Sequence, residues 1–178
     1  MRITIGISGG IASYKIASLV SFLSKEHEVH VIMTKNATKF ITPLTFETLT
    51  KQKVMVDEFE NFNYEKIEHI EYGQNTDLLV IIPATANILG KIANGIADDL
   101  LTSTVIASTT PVLICPAMND KMFLNKIVQD NLNKLKSYDY IILDPIEGSL
   151  ACNSTGIGKL PDTKTIVEKI QNILKEDY

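Results

Sequence analysis

The sequence predicts an α/β protein built on a doubly wound parallel sheet. Short β-branched runs alternate along the chain with segments whose apolar residues recur at helical spacing, the order that produces right-handed βαβ crossovers. Two of these runs, Leu78 to Ile82 and Val112 to Cys115, are apolar enough to read as buried strands. Small and amide side chains follow each of them, as Pro83-Ala-Thr-Ala-Asn87 and Pro116-Ala-Met-Asn-Asp-Lys-Met122. Open α/β sheets bind ligands at such strand ends.

The elements follow in order. Ile3 to Ile7 is a strand that turns at Ser8-Gly9-Gly10 into a helix spanning Ile11 to Leu23. Glycines there let the backbone approach a ligand, and the helix start beyond them offers N–H groups to a phosphate. The turn is neither a full G-x-G-x-x-G fingerprint nor a P-loop, and it reads equally well as a tight βα turn. Glu28 to Met33 is the second strand. Thr34, just after it, either presents a hydroxyl to a ribityl chain or phosphate, or caps a helix.

Ile41 to Leu49 predicts one or two short helices broken at Pro43, and Val54 to Phe59 a short strand or an irregular connection. A short helix is expected around Ile67 to Tyr72. Its His69 stands among glutamates, as solvated surface histidines do. Helices are expected over Asn87 to Ala93, Ile96 to Ala107 and Lys121 to Leu135, with a last strand at Tyr140 to Leu143. Asp144 to Gly158 predicts a long connection without regular structure, of the kind that forms lids. An amphipathic helix from Asp162 to Leu174 closes the chain. The expectation is one domain over 1–178, a Rossmann-like or flavodoxin-like three-layer α/β/α arrangement, with a flap at about 145–162.

Composition narrows the partners. A net charge of −4 with both signs interleaved gives no footprint for nucleic acid or an anionic membrane surface, so a small molecule is expected. No apolar stretch reaches membrane-spanning length and no secretory signal opens the sequence, which predicts a cytoplasmic protein. Cys115 and Cys152 show no metal-ligand spacing, so no metal site is expected. Cys115 lies inside an apolar strand and reads as core.

Taken in order, Ser8-Gly-Gly-Ile-Ala-Ser-Tyr-Lys15, Glu68-His-Ile70, Pro83-Ala-Thr-Ala-Asn87, Lys91 to Thr102, Pro116-Ala-Met-Asn119 with Met122, and Leu150-Ala-Cys152 before Gly156-Ile-Gly158 resemble the flavin-containing cysteine decarboxylases. The likeness covers essentially the whole chain, is most specific at Pro-Ala-Met-Asn-x-x-Met, and is strongest to the branch that acts on phosphopantothenoylcysteine in coenzyme A biosynthesis. It implies FMN at the carboxyl edge of the sheet and a homotrimer with flavin and substrate at a subunit interface. By motif match, Gly9, Gly10, Thr34, Thr85, Ala86, Asn87 and Ala117 would contact the cofactor. His69 falls on the active-site histidine, Asn119 on the amide that holds the substrate carboxylate, and Met122 on that motif's companion residue. Cys152 falls on the acid of a mobile flap, and Lys159 would face the substrate phosphate.

The implied chemistry explains the residue types. Oxidising the substrate thiol to a thioaldehyde, with flavin as acceptor, places a C=S group where it can take the electrons of the departing carboxylate. The enethiolate that results is then protonated and reduced to 4′-phosphopantetheine. Bland readings stand beside these roles: Asn119 as a helix N-cap, Met122 as core packing, Cys152 as a small packing residue.

The chain departs from the family pattern at Phe123, where Trp or Tyr is common, at Thr85 for Ser, at Asn153 for Gly and at Lys159 for Arg. Lysine keeps the charge and loses bidentate recognition. Competing assignments are a peptidyl-cysteine decarboxylase, which Cys152 disfavours, a flavin prenyltransferase, and a non-catalytic phosphatase-binding relative.

Overall fold

A computed structural model describes residues 1–59, 67–149, 151 and 155–176. Strands β1 (Arg2–Ile7), β2 (Glu28–Met33), β3 (Leu78–Ala84), β4 (Val112–Pro116) and β5 (Ile141–Ile142) form one parallel sheet in the order β2-β1-β3-β4-β5. The order reverses at β1 and β3, so their carboxyl ends flank the crevice where doubly wound sheets take ligands.

Strand alternation divides the core into two layers. Ile3, Ile5, Ile7, Leu78, Val80 and Ile82 face α1 (Ser13–Leu23) and α8 (Thr163–Glu176). Leu79, Ile81 and Ile114 face α4 (Ala86–Ala93), α5 (Leu100–Ala107) and α7 (Lys126–Lys136). Helix α1 contributes Ile16, Leu19, Val20 and Leu23, an i, i+3, i+4, i+7 stripe. Each such fully buried side chain stabilises the fold by about 1.5–3 kcal/mol.

Several boundaries differ from expectation. Pro43 does not break a helix; it opens α2 (Pro43–Thr50) at a position where its missing N–H costs nothing. Val54 to Phe59 contributes only an isolated bridge, Ile32 to Met55. Helix α5 starts at Leu100 because Asp99 and Thr102 form a reciprocal capping box. The helix expected over Lys121 to Leu135 is broken: α6 (Asp120–Phe123) is one turn, and Asn125 caps α7 afresh by accepting from the Ile127 N–H at 3.0 Å. Strand β3 continues through Pro83 and Ala84.

The largest correction concerns Asp144 to Gly158, expected to lack regular structure. Its described residues form an antiparallel pair, β6 (Ile146–Ser149) with β7 (Thr155–Lys159). The pair has little apolar content of its own and is held by docking. A Cβ on Gly156 would lie 2.7 Å from that of Asp120, and one on Gly158 would overlap the Met118 carbonyl oxygen. Only glycine permits that approach.

Candidate active site

The turns at the carboxyl ends of β1, β2 and β3 are cross-tied. Ser8 Oγ donates to the Pro83 carbonyl at 2.6 Å and accepts from the Thr85 N–H at 3.0 Å. Gly9 packs so closely on the β2 turn that a Cβ would fall 2.5 Å from that of Asn36. Thr34 Oγ accepts from the Ala37 N–H at 3.2 Å, so it is a local cap while also facing the site. Thr85 caps α4 through Ile88, at 3.3 Å. The Gly9, Ile11, Ala12, Ala86 and Asn87 N–H groups have no acceptor among the described residues, which leaves amide donors around one crevice.

Two adjoining cavities occupy that crevice and share Gly9, Thr85, Ala86 and Met122 as wall. The first, about 660 Å³, adds Thr34 and Asn87. It is also walled by Asp57, Glu58, Asp98 and Asp99, and all but Glu58 pair with its lysines. Lys91 Nζ meets Asp98 at 2.6 Å and Asp99 at 3.1 Å, and Lys35 meets Asp57 at 2.6 Å. The bond from Asp98 raises the Lys91 pKa, and the bond from Lys35 lowers that of Asp57. The second cavity, about 560 Å³, brings together Gly10, Ala117, Asn119 and Lys159. Asn119 Oδ1 accepts from the Lys121 N–H at 2.9 Å, so the N-cap reading and the site position coexist.

His69 lines neither cavity. It sits on α3 (Glu68–Gln74), which lies close against α5 because a side chain at Gly73 would strike the Thr104 carbonyl. Its Nδ1 is against the carboxylate of Glu58, and Glu58 lines the first cavity. Cys152 lies outside the described residues; Ser149 and Ala151 line the second cavity. Cys115 is buried in β4 as expected, and burial pushes its thiol pKa up.

Ser8, Glu58, Lys15 and Lys91 also belong to the crevice, though sequence reasoning did not single them out. Lys91 had a signal: it precedes Asp98 and Asp99 across an Asn94-Gly95 turn, a spacing that folds charge back onto charge. Among the described residues no group of three or more His, Cys, Asp or Glu is arranged to hold a metal ion.

A parallel sheet of order 2-1-3-4-5, with its ligand-facing turns at the β1/β3 switch point, defines a flavodoxin-like α/β protein. The chain belongs to the Flavoprotein family, whose sequence profile matches residues 1–175. It is 47% identical over 99% of its length to the coenzyme A biosynthesis bifunctional protein CoaBC of Borreliella burgdorferi, and spans 46% of that relative's length. It is 39% identical to the "probable phosphopantothenoylcysteine decarboxylase" of Streptococcus mutans, covering 97% of this chain and 98% of that one. Among solved structures, a PPC decarboxylase mutant complexed with pantothenoylaminoethenethiol superposes with a TM-score of 0.88 at 30% identity, covering 98% of both chains. The FMN-dependent cysteine decarboxylase SpaF gives 0.84 at 30% identity, over 99% of this chain and 96% of that one.

Proposed function

We propose that this chain binds FMN and decarboxylates 4′-phosphopantothenoylcysteine to 4′-phosphopantetheine, a step of coenzyme A biosynthesis placed in the cytoplasm. The observation that carries the reading is the meeting, in one crevice, of the glycine turn, the Thr85–Asn87 turn, the Asn119 turn and the β6–β7 hairpin. A relative of nearly the same length bears the name of this activity. Among the described residues no helix is long and apolar enough to cross a membrane.

The residues fit the cofactor. Amide donors at Gly9, Ile11, Ala12, Ala86 and Asn87 suit a ligand with a phosphate and ring carbonyls, and Gly10, Thr34, Thr85 and Ala117 complete the walls. Bound there, FMN supplies a reversible hydride acceptor for the carbon bearing the substrate thiol.

The chain's own residues orient substrate and move protons. Asn119 holds the carboxylate through its amide without a counter-charge, which would stabilise the ground state as well. Met122 packs beside it. His69, with Nδ1 against the Glu58 carboxylate, takes the thiol proton at Nε2. Cys152 protonates the enethiolate, and the segment at about 145–162 acts as the flap that keeps water out. Lys159 faces the substrate phosphate.

The assembly is a homotrimer that completes the site at a subunit contact. Met122, which lines both cavities, and Leu124 and Ile127 just after it in the chain are 49%, 59% and 72% exposed and suit burial there. Sedimentation at micromolar concentration should give three times the chain mass of 19.7 kDa; a monomer carrying full activity overturns this part.

The deciding experiment uses purified full chain. Flavin absorbance and release of FMN are expected, followed by CO2 and saturated thiol from phosphopantothenoylcysteine. An enethiol end product would assign the chain to the peptidyl-cysteine type instead. His69→Asn and Asn119→Ala should stay yellow and release no CO2; near-wild-type activity in either refutes the role given to that residue. Cys152→Ser should accumulate enethiol, and normal 4′-phosphopantetheine output from it removes the acid role.

A further inference from the structure

The wall of the first cavity sorts its charges. Asp57, Asp98 and Asp99 each pair with a lysine of that wall, whereas Glu58 lies against a histidine, His69. The contact runs from Glu58 Oε1 to His69 Nδ1. Nδ1 is closed to solvent, and no other polar atom of the described residues hydrogen-bonds to it. Water cannot serve it, so the carboxylate decides whether that nitrogen carries a proton.

Each partner is anchored to the sheet independently of the other. Glu58 follows Met55, whose N–H donates to the Val31 carbonyl at 3.0 Å and whose carbonyl accepts from the Met33 N–H at 2.8 Å. Between them, Asp57 meets Lys35 at 2.6 Å and accepts from the Phe59 N–H at 3.1 Å. His69 is carried by α3, which Arg2 ties to β1 through Glu71 at 2.8 Å. Two separately fixed elements thus present a carboxylate to one imidazole nitrogen. Both side chains are 26% exposed, so the charge acts on the ring with less screening than at an open surface.

We propose that Glu58 is a positioning residue: it takes the Nδ1–H of neutral His69, which fixes that tautomer and leaves the lone pair at Nε2 for the substrate thiol. The inference rests on the decarboxylase reading above and deepens it. A neutral imidazole has one N–H, and the partner of each nitrogen sets which one carries it. With Nδ1 protonated, Nε2 is a base; in the other tautomer Nε2 already holds the proton and accepts nothing. A carboxylate orients the histidine of hydrolase triads by the same logic.

The test uses the full chain as wild type, Glu58→Gln and Glu58→Asp, with and without flavin. Heteronuclear NMR of the imidazole nitrogens, assigned with His69→Asn, is recorded at a pH where the ring is neutral. Wild type should show Nδ1 protonated, and Glu58→Gln should move the proton to Nε2, because an amide can donate to Nδ1. Rapid mixing of the flavin-loaded chain with phosphopantothenoylcysteine should show flavin bleaching slowed about tenfold or more in Glu58→Gln, part of the roughly 10²–10⁴ that a general base contributes. Kd for 4′-phosphopantetheine, flavin content and thermal midpoint should stay close to wild type. Glu58→Asp returns the charge and should bleach faster than the glutamine variant. An unchanged tautomer or bleaching rate in Glu58→Gln overturns the proposal, as does an aspartate variant no faster than the glutamine one. Loss of flavin with the tautomer intact overturns it too, and would give Glu58 to the cofactor. Should wild type neither bleach nor release CO2, the decarboxylase reading falls, and the spectra still decide whether Glu58 sets the His69 tautomer.

Discussion

The Met118 N–H donates a 3.0 Å hydrogen bond to the Gly158 carbonyl, joining the β6–β7 hairpin to the turn that carries Asn119. Gly158 has φ of +151° and no room for a side chain, since a Cβ would overlap the Met118 carbonyl oxygen. Gly158→Ala should therefore unseat the hairpin at a local cost of roughly 1–3 kcal/mol. We expect turnover to fall at least tenfold while far-UV dichroism and flavin content stay unchanged. Wild-type turnover would mean that the seated hairpin is not required.

That contact also marks where sequence reasoning stopped. The sheet was legible because Ile3-Thr-Ile-Gly-Ile7 and Leu78 to Ile82 are locally apolar and sit between helical stripes, and both strands form. The hairpin was not, because Ile146-Glu-Gly-Ser149 and Thr155-Gly-Ile-Gly-Lys159 alternate weakly and owe their order to residues 118–120. Gly9, Gly10, Thr85, Ala117 and Asn119 were found by motif and do converge on one crevice. The carboxylate beside His69 was missed, since Glu58 lies in a connection with no periodicity, eleven residues before His69, and only the folded chain brings the two together.

The cap that Asn119 forms and the carboxylate-holding role proposed for it can be separated by substitution. Aspartate caps a helix as well as asparagine does, but it would set a negative charge against a substrate carboxylate. Asn119→Asp should keep thermal stability close to wild type and lose decarboxylation. Asn119→Ala should lose activity and also about 1 kcal/mol of stability, read from urea midpoints. An active aspartate variant would exclude the carboxylate-holding role.

Cys115 gives a pH signature. Burial raises its thiol pKa in the folded chain, so only the unfolded chain ionises near its ordinary value of about 8.5. The stability contributed by keeping the thiol neutral is whole below that pH and declines as pH rises from there toward the folded value. The slope is about 1.4 kcal/mol per pH unit. Urea unfolding of wild type and Cys115→Ala should diverge by about half that slope between pH 8 and 9 and by nearly all of it between pH 9 and 10. Parallel lines would show that the thiol ionises in place. A thiol reagent should correspondingly label Cys115 only in denaturant.

The wall of the first cavity depends on Asp99. Its Oδ1 accepts from the Thr102 N–H at 2.9 Å, Thr102 Oγ receives the Asp99 N–H at 3.2 Å, and its other oxygen meets Lys91 at 3.1 Å. The capping box sets where α5 begins and so where Leu100 enters the wall. Asp98 is the closer partner of Lys91 but caps nothing and lies exposed. Asp99→Ala should destabilise the chain by about 1–2 kcal/mol, the range for a lost N-cap, whereas Asp98→Ala should shift the urea midpoint less. Equal shifts would mean that the ion pair with Lys91, and not the cap, holds residues 94–99 against the cavity.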